Sequence, residues 1–308
     1  MAAKKELRAG VNEQGCVVNL CQLQGRKLYE EGDYPASLAS YEVVAAGLEN
    51  SPSFRLDRGL TYYGLGRFDL ALADFDKTLE LVPDSFQAGA ERAHTLMRLG
   101  RWSDARSQFQ KLLETPGAQR EFRGLRTGSY LKGNIGVIDL LAGDYSKGKE
   151  ELEAALQSDG RNSLASTYIY RVLPQMKEKT IDANGVALLL GASEDVGLGR
   201  RDAAKKAIDE LTAKYPKFPE TYFLAAELYR NSGYYEVCER VLTSGERAIP
   251  DDVDLKAERL RCTLLKVGPM TPEAKQPLAE LKQLADAHPD NQLVQQIRDA
   301  LEAPPESQ

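Results

Sequence analysis

The residues that most often do chemistry are scarce in this chain. Histidine occurs twice, as His94 and His288, and neither has another histidine or a cysteine at a metal-ligand spacing. The sequence has no HExxH, GxxxxGK[ST] or GxSxG motif. A GxG run at Gly197 and Gly199 falls between two predicted helices, without the preceding strand that dinucleotide binding requires. We therefore predict a protein that is not an enzyme and uses no cofactor or metal.

Four cysteines are too few for a disulfide framework in 308 residues. Cys16 and Cys21 are five residues apart, which is not the CxxC spacing of zinc or redox sites. Cys238 stands where the repeat described below has a small residue, and Cys262 lies in an amphipathic helix, so both are interpreted as packing residues. This usage predicts a reducing, cytoplasmic compartment, unless a natural leader is missing from the sequence.

Composition also limits the partners. The net charge is −6, which argues against the broad basic surface that nucleic acid requires. No stretch approaches the roughly 18 consecutive apolar residues of a membrane span. Gly15 and Cys16 match the end of a lipoprotein signal in those two letters alone, because no apolar run precedes them. We predict no nucleic-acid partner and no direct membrane insertion.

A helical repeat organises most of the chain. The stretch 59–83 spaces small residues, large apolar residues and a final proline as one helix, a tight turn and a second helix would. Its turn glycine, Gly66, has counterparts 34 residues before and after it, at Gly32 and Gly100. Each of these glycines is followed by a polar residue and an aromatic one. The aromatic residues of the second helix keep the same step, as Tyr41, Phe75 and Phe109.

This pattern resembles the tetratricopeptide repeat family, whose unit is a 34-residue helix-turn-helix. The resemblance extends from about Asn19 to His288. It implies an all-α, right-handed superhelical solenoid of antiparallel helix pairs, with about seven repeats and a C-terminal capping helix. The charged segment 291–302 suits that cap, because the end of a solenoid needs a polar outer face.

The register of the repeat predicts the domain boundaries. Repeats 1 to 4 are expected before a connecting helix that Pro174 bends or ends, and repeats 5 to 7 after it. The predicted segments are a lead-in (1–17), repeats 1 to 4 (18–160), the off-register connecting helix (161–181), repeats 5 to 7 with the capping helix (182–302), and a disordered tail (303–308).

The repeat frame slips between the third and fourth repeats. The next turn glycine, Gly143, comes 43 residues after Gly100, so about nine residues are inserted, within 118–129. One interpretation is a longer loop or an extended first helix of repeat 4. The other is a basic knob that contacts an acidic partner through Arg120, Arg123 and Arg126.

The concave face of such a solenoid is lined by the first helices of successive repeats. We predict that this face holds a protein or peptide partner and supports the assembly or localisation of a larger complex. Two alternatives are an obligate subunit or homo-oligomer that packs through an apolar edge, and a co-chaperone-like adaptor. The chain itself is expected to be a monomer or weak oligomer. The side chains predicted to line the face are Leu23, Arg26, Tyr29, Leu56, Leu60, Tyr63, His94, Met97, Arg98, Tyr130 and Asn134.

Family members that hold the acidic C-termini of Hsp70 and Hsp90 use a clamp of lysine, asparagine and arginine on these first helices. Those residues do not occur in that pattern here, so the positive charge that a terminal carboxylate needs is missing. We therefore predict no conventional clamp. At the matching positions this chain has Asn19, Leu23, Asp57, Gln87 and Glu91.

Overall fold

The part of the chain that the structure describes is built from helices and one short β-hairpin. Its structure, a computed structural model, describes residues 18–115 and 121–302. The predicted lead-in, the predicted tail and Arg120 lie outside these residues. Among the described residues, no helix is both long enough and apolar enough to cross a bilayer.

The elements are numbered here in chain order. The α-helices are α1 (Val18–Glu30), α2 (Tyr34–Leu48), α3 (Pro52–Gly64), α4 (Phe68–Leu81), α5 (Phe86–Arg98), α6 (Trp102–Leu113), α7 (Thr127–Leu141), α8 (Tyr145–Ser158), α9 (Ser163–Thr167), α10 (Leu173–Lys177), α11 (Ala183–Gly197), α12 (Arg201–Lys214), α13 (Pro219–Asn231), α14 (Tyr235–Ala248), α15 (Val253–Val267), α16 (Lys275–Ala287) and α17 (Gln292–Glu302). The strands are β1 (Glu121–Phe122) and β2 (Leu125–Arg126).

The chain divides into two compact units, Met1–Leu173 and Pro174–Gln308. The described part of the N-terminal unit contains four helix hairpins, from α1 and α2 to α7 and α8. Up to residue 302, where the described part ends, the C-terminal unit contains three hairpins, from α11 and α12 to α15 and α16, followed by α17. Val294 and Ile297 bury one face of α17 against the last hairpin. The predicted all-α repeat architecture with a final capping helix is confirmed.

Each regular turn inside a hairpin places a glycine in the left-handed backbone region. At Gly66 the turn is closed by two backbone bonds, from the Gly66 amide to the Tyr63 carbonyl and from the Arg67 amide to the Tyr62 carbonyl. This is the arrangement in which glycine ends a helix at least cost. The 34-residue step therefore marks real turns. Their φ angles are +80° at Gly32, +72° at Gly66, +71° at Gly100, +83° at Gly143, +69° at Gly199 and +74° at Gly233.

We expect Gly66→Ala to lower the free energy of unfolding of the N-terminal unit by about 1 kcal/mol. The left-handed region costs a residue with a Cβ roughly 1–2 kcal/mol, and the smaller entropy of the unfolded chain returns only part of it. Gly160→Ala is the matched control, because Gly160 has open space around it and no positive φ. Urea unfolding followed by circular dichroism measures both variants. Equal effects at the two positions would contradict the role of the turn.

Packing within a hairpin sets a glycine against an aromatic ring. A Cβ at Gly59 would lie only 2.7 Å from Cε1 of Phe75, and a Cβ at Gly25 would lie 2.7 Å from Cζ of Tyr41. Phe75 and Tyr41 are both fully buried, as is Phe109 at the same place in the third repeat. The rings fill the space between helices that only a residue without a side chain leaves open.

The predicted connecting helix is interrupted by a π-helical turn, Tyr168–Val172, between α9 and α10. The Leu173 amide donates to the Tyr168 carbonyl, five residues earlier. Pro174 has no amide hydrogen to continue the α-helical pattern, and this wider turn directly precedes it. The division between the two compact units falls at this proline.

A disulfide joins Cys238 of α14 to Cys262 of α15, with their Cα atoms 6.0 Å apart. Both side chains are fully buried, so they do fill core space. Their interpretation as separate packing residues is nevertheless wrong, because the contact between repeats 6 and 7 brings the two sulfur atoms together. Cys16 lies outside the described residues.

Candidate functional site

The first helices of the early repeats lie next to one another in the N-terminal unit, where α3 packs against both α1 and α5. We call the surface contributed by α1, α3, α5 and α7 the first-helix face. Polar contacts link its members. Arg26 donates to Asp57 Oδ2 at 2.7 Å, and Gln22 donates to Ser53 Oγ at 3.3 Å. Of these four side chains, Arg26 is one that was predicted to line the binding face.

The insert between repeats 3 and 4 is a β-hairpin in which β1 pairs antiparallel with β2. Its two turn residues, Arg123 and Gly124, have φ angles of +50° and +75°. Positive φ at both positions matches the twist of the paired strands, and asparagine and glycine usually occupy them. The prediction of a longer loop or an extended helix is therefore wrong.

The hairpin rests on the first-helix face through two adjacent side chains. The Phe122 ring packs edge-on against Phe86 of α5 at 5.2 Å between centroids and against Tyr130 of α7 at 5.0 Å. Nη2 of Arg123 donates to both carboxylate oxygens of Glu91, at 2.9 and 2.8 Å. The Glu91 side chain is 5% exposed and the Arg123 side chain 45%. The insert therefore connects α5 to α7.

Burial and the charges of this ion pair shift the pKa values of two predicted site residues. Burial, together with the Glu91 carboxylate, raises the pKa of Tyr29 to about 12. Burial, followed by the charge of Arg123, lowers the pKa of His94 well below its usual value. His94 is therefore neutral at pH 7, and adds no second positive charge beside the guanidinium.

Two further predicted residues, Tyr63 and Tyr130, lie near Arg123. Tyr130 is hydrogen-bonded to Nε2 of His94, and its ring contacts both His94 and Phe122. Tyr63 and Tyr130 both lie close enough to Arg123 to interact with its charge. We call this set the Arg123 site. Its members are Arg123, Glu91, Tyr29, Tyr63, His94 and Tyr130.

The remaining predicted residues differ in how far their side chains are exposed. Leu23 is 61% exposed, whereas Met97 and Asn134 are buried. Asn134 donates to the Tyr130 carbonyl within its own helix. Arg98 lies over the Phe68 ring at 4.8 Å. On the same face Arg26 is exposed, and Leu56 and Leu60 are partly exposed.

The three arginines of the insert do not act together. Arg123 has an acidic partner, but this partner is Glu91 of the same chain. Arg126 is directed elsewhere, since its Nη1 donates to the Ser158 carbonyl and its amide to Asp159. Arg120 lies outside the described residues.

Sequence reasoning missed the aromatic anchors, Phe122 and Phe86, and did not predict that Glu91 pairs with an arginine of the insert. The signal that points to the hairpin is a glycine directly after Arg123, with apolar residues on both sides of the pair. Nothing in the spacing shows that Arg123 meets Glu91, 32 residues earlier.

The described residues, 18–115 and 121–302, contain no group of three or more histidine, cysteine or acidic side chains able to hold a metal ion. The Arg123 site consists of aromatic rings, one acid and one guanidinium. A neutral histidine that is hydrogen-bonded to a tyrosine can hold the tyrosine ring in one orientation.

Comparison with known families agrees with the fold. The tetratricopeptide repeat family matches residues 23–88, which span repeats 1 and 2 and enter α5. Helix hairpins of the same form recur in both units, beyond the matched residues. No curated protein matches this chain.

Several solved structures are similar to this chain at low identity. A tetratricopeptide repeat protein from Parabacteroides merdae is 11% identical with a TM-score of 0.44, and the match covers 93% of this chain and 99% of that one. TTC0263 from Thermus thermophilus is 15% identical with a TM-score of 0.39, over 80% and 99%. The TPR2AB domain of yeast Sti1, in a pHSP90 complex, is 16% identical with a TM-score of 0.36, over 82% and 98%. TM-scores below 0.5 support no conclusion about what this chain binds.

Proposed function

We propose that this protein is a non-enzymatic scaffold that binds a protein or peptide on the first-helix face of its N-terminal unit. The observation that carries the proposal is the hairpin itself. A short extended segment already lies on this face and is held by one aromatic ring and one arginine, which are the contacts that dominate protein recognition sites.

The rest of the face can extend the contact. Leu56 and Leu60 are one helical turn apart on α3 and both remain partly exposed. Arg26 keeps about half of its exposure while bonded to Asp57. Apolar side chains next to a bonded charge pair suit a segment with apolar anchors and polar flanks. Binding there would support the assembly or localisation of a multiprotein complex.

A conventional chaperone tail is not the partner that we propose. Two of the positions that would need to attract a terminal carboxylate are the acids Asp57 and Glu91, and each already binds an arginine of this chain. An incoming carboxylate would meet like charge at both places.

We expect the full-length protein to select binding peptides from a displayed library of random sequences. Leu56→Asp with Leu60→Asp should reduce binding of those peptides by about tenfold or more, because two buried charges would replace apolar contacts. Leu70→Asp is the matched control, since Leu70 is a 47% exposed leucine on α4, a second helix. Fluorescence anisotropy measures affinity, and circular dichroism verifies that each variant is folded.

Peptides that bind the wild type and the Leu56/Leu60 double variant equally would contradict the proposed location. A loss of binding with Leu70→Asp alone would move the site to the second helices.

A further inference from the structure

We propose that Glu91 and the rings around it form an arginine-binding site, which the Phe122–Arg123 pair of the hairpin occupies within the chain. A partner enters by replacing that pair with an aromatic residue followed by arginine. This inference rests on the proposed function, because it names the ligand chemistry of the first-helix face.

The first step is the burial of Glu91. Its side chain is 5% exposed, and an ionised carboxylate at that depth needs a charged or strongly donating partner. Arg123 meets this need by donating to both oxygens. Any segment that displaces the hairpin must therefore bring a cation. Arginine fits better than lysine, because its planar guanidinium keeps its charge and also stacks on rings.

The second step is the backbone of Arg123. Its φ of +50° lies in the left-handed region, which an arginine disfavours and which glycine or asparagine would adopt readily at this turn position. An arginine held there against its backbone preference indicates that its side chain is needed. That side chain reaches Glu91.

The third step is the aromatic neighbour. Phe122 lies between Phe86 and Tyr130 in two edge-on contacts, and Tyr130 also borders Arg123. Edge-on ring pairs add to the apolar burial of each ring. The order of the two residues in the hairpin, aromatic then arginine, gives the order expected in a ligand.

The hairpin is joined to the chain on which it rests, so its effective concentration at the site is high. An external peptide with the same pair therefore binds the wild type weakly. Removing the Phe122 and Arg123 side chains should leave the site open to an external peptide that carries the same two side chains.

The test uses the labelled, disulfide-closed peptide CEFRGLRC, which repeats residues 121–126 between two cysteines. We expect the full-length variant Phe122→Ser with Arg123→Gly to bind it about tenfold or more tighter than the wild type. Glycine suits the turn, so this variant keeps the hairpin backbone. Arg126→Ala is the matched control. It removes a charge from the same hairpin, but Arg126 contacts Ser158 rather than Glu91.

Adding Glu91→Gln to the emptied variant should return its affinity to that of the wild type. A peptide in which citrulline replaces the first arginine should lose the gain, because citrulline has the same shape without the charge. Equal affinity of wild type and emptied variant, or no effect of Glu91→Gln, would overturn the proposal. Arg123→Gly alone is the second variant if the double change prevents folding, as judged by circular dichroism.

The result is separable from the proposed function. Library-selected peptides that depend on Leu56 and Leu60, yet bind wild type and emptied variant equally, would leave the proposed function standing and overturn the arginine site.

Discussion

Replacing Phe75 by alanine is expected to lower the free energy of unfolding of the N-terminal unit by about 3–5 kcal/mol, the range for aromatic truncation in a core. Phe75 is fully buried, and its ring lies against the backbone of α3 at Gly59. Because Gly59 has no side chain, nothing nearby on α3 can move into the cavity that the ring would leave. Urea unfolding monitored by circular dichroism gives the free energy.

Leu70→Ala is the control for this experiment, since Leu70 lies on the same helix and is 47% exposed. Its loss should cost far less than that of Phe75. A second check combines Gly59→Ala with Phe75→Leu. Each change alone disturbs the contact, whereas the pair exchanges volume across it, so the double variant should be more stable than the sum of the two costs predicts. Strict additivity would contradict a direct contact.

Reduction of the Cys238–Cys262 disulfide is expected to lower the free energy of unfolding of the C-terminal unit by about 3 kcal/mol. The bond closes a loop of 24 residues in sequence, and restricting a loop of that size in the unfolded chain gives a contribution of this order. Thermal unfolding with and without dithiothreitol measures the difference. A double Cys238→Ala, Cys262→Ala variant serves as the control, because reductant should not affect its C-terminal unit.

Thiol counting in denaturant tests the bond directly. Reaction of Cys238 and Cys262 only after reduction would agree with the bond and would favour an oxidising compartment over the cytoplasmic location that the low cysteine count predicts. Immediate reaction of both Cys238 and Cys262 would contradict it.

The hairpin repeat could be predicted from sequence because its signals are local. A left-handed glycine such as Gly66, the aromatic two residues later and the small residue facing Phe75 all lie within one period. These features are determined by neighbouring backbone and side chains. Their spacing in the sequence therefore predicts their positions in the fold.

The insert could not be predicted in the same way. The longer interval between turn glycines shows that residues are inserted, but it does not show which secondary structure they form. The glycine after Arg123 suits a hairpin turn, but Arg123 disfavours the backbone of that turn, so the local signals opposed each other. The contacts that hold it, with Glu91 and Phe86, join residues more than 30 positions apart. The disulfide was missed for a related reason, since the approach of Cys238 to Cys262 depends on how two repeats pack.

The left-handed arginine also has a kinetic consequence. A backbone strain of roughly 1 kcal/mol at Arg123 would make the melted turn about fivefold more populated than in an unstrained turn that kept the same contact with Glu91. If a partner reaches the site after the turn melts, its observed association rate should stop rising at high partner concentration, at the rate of hairpin opening. The nine-residue insert would then set the speed of recognition as well as its chemistry.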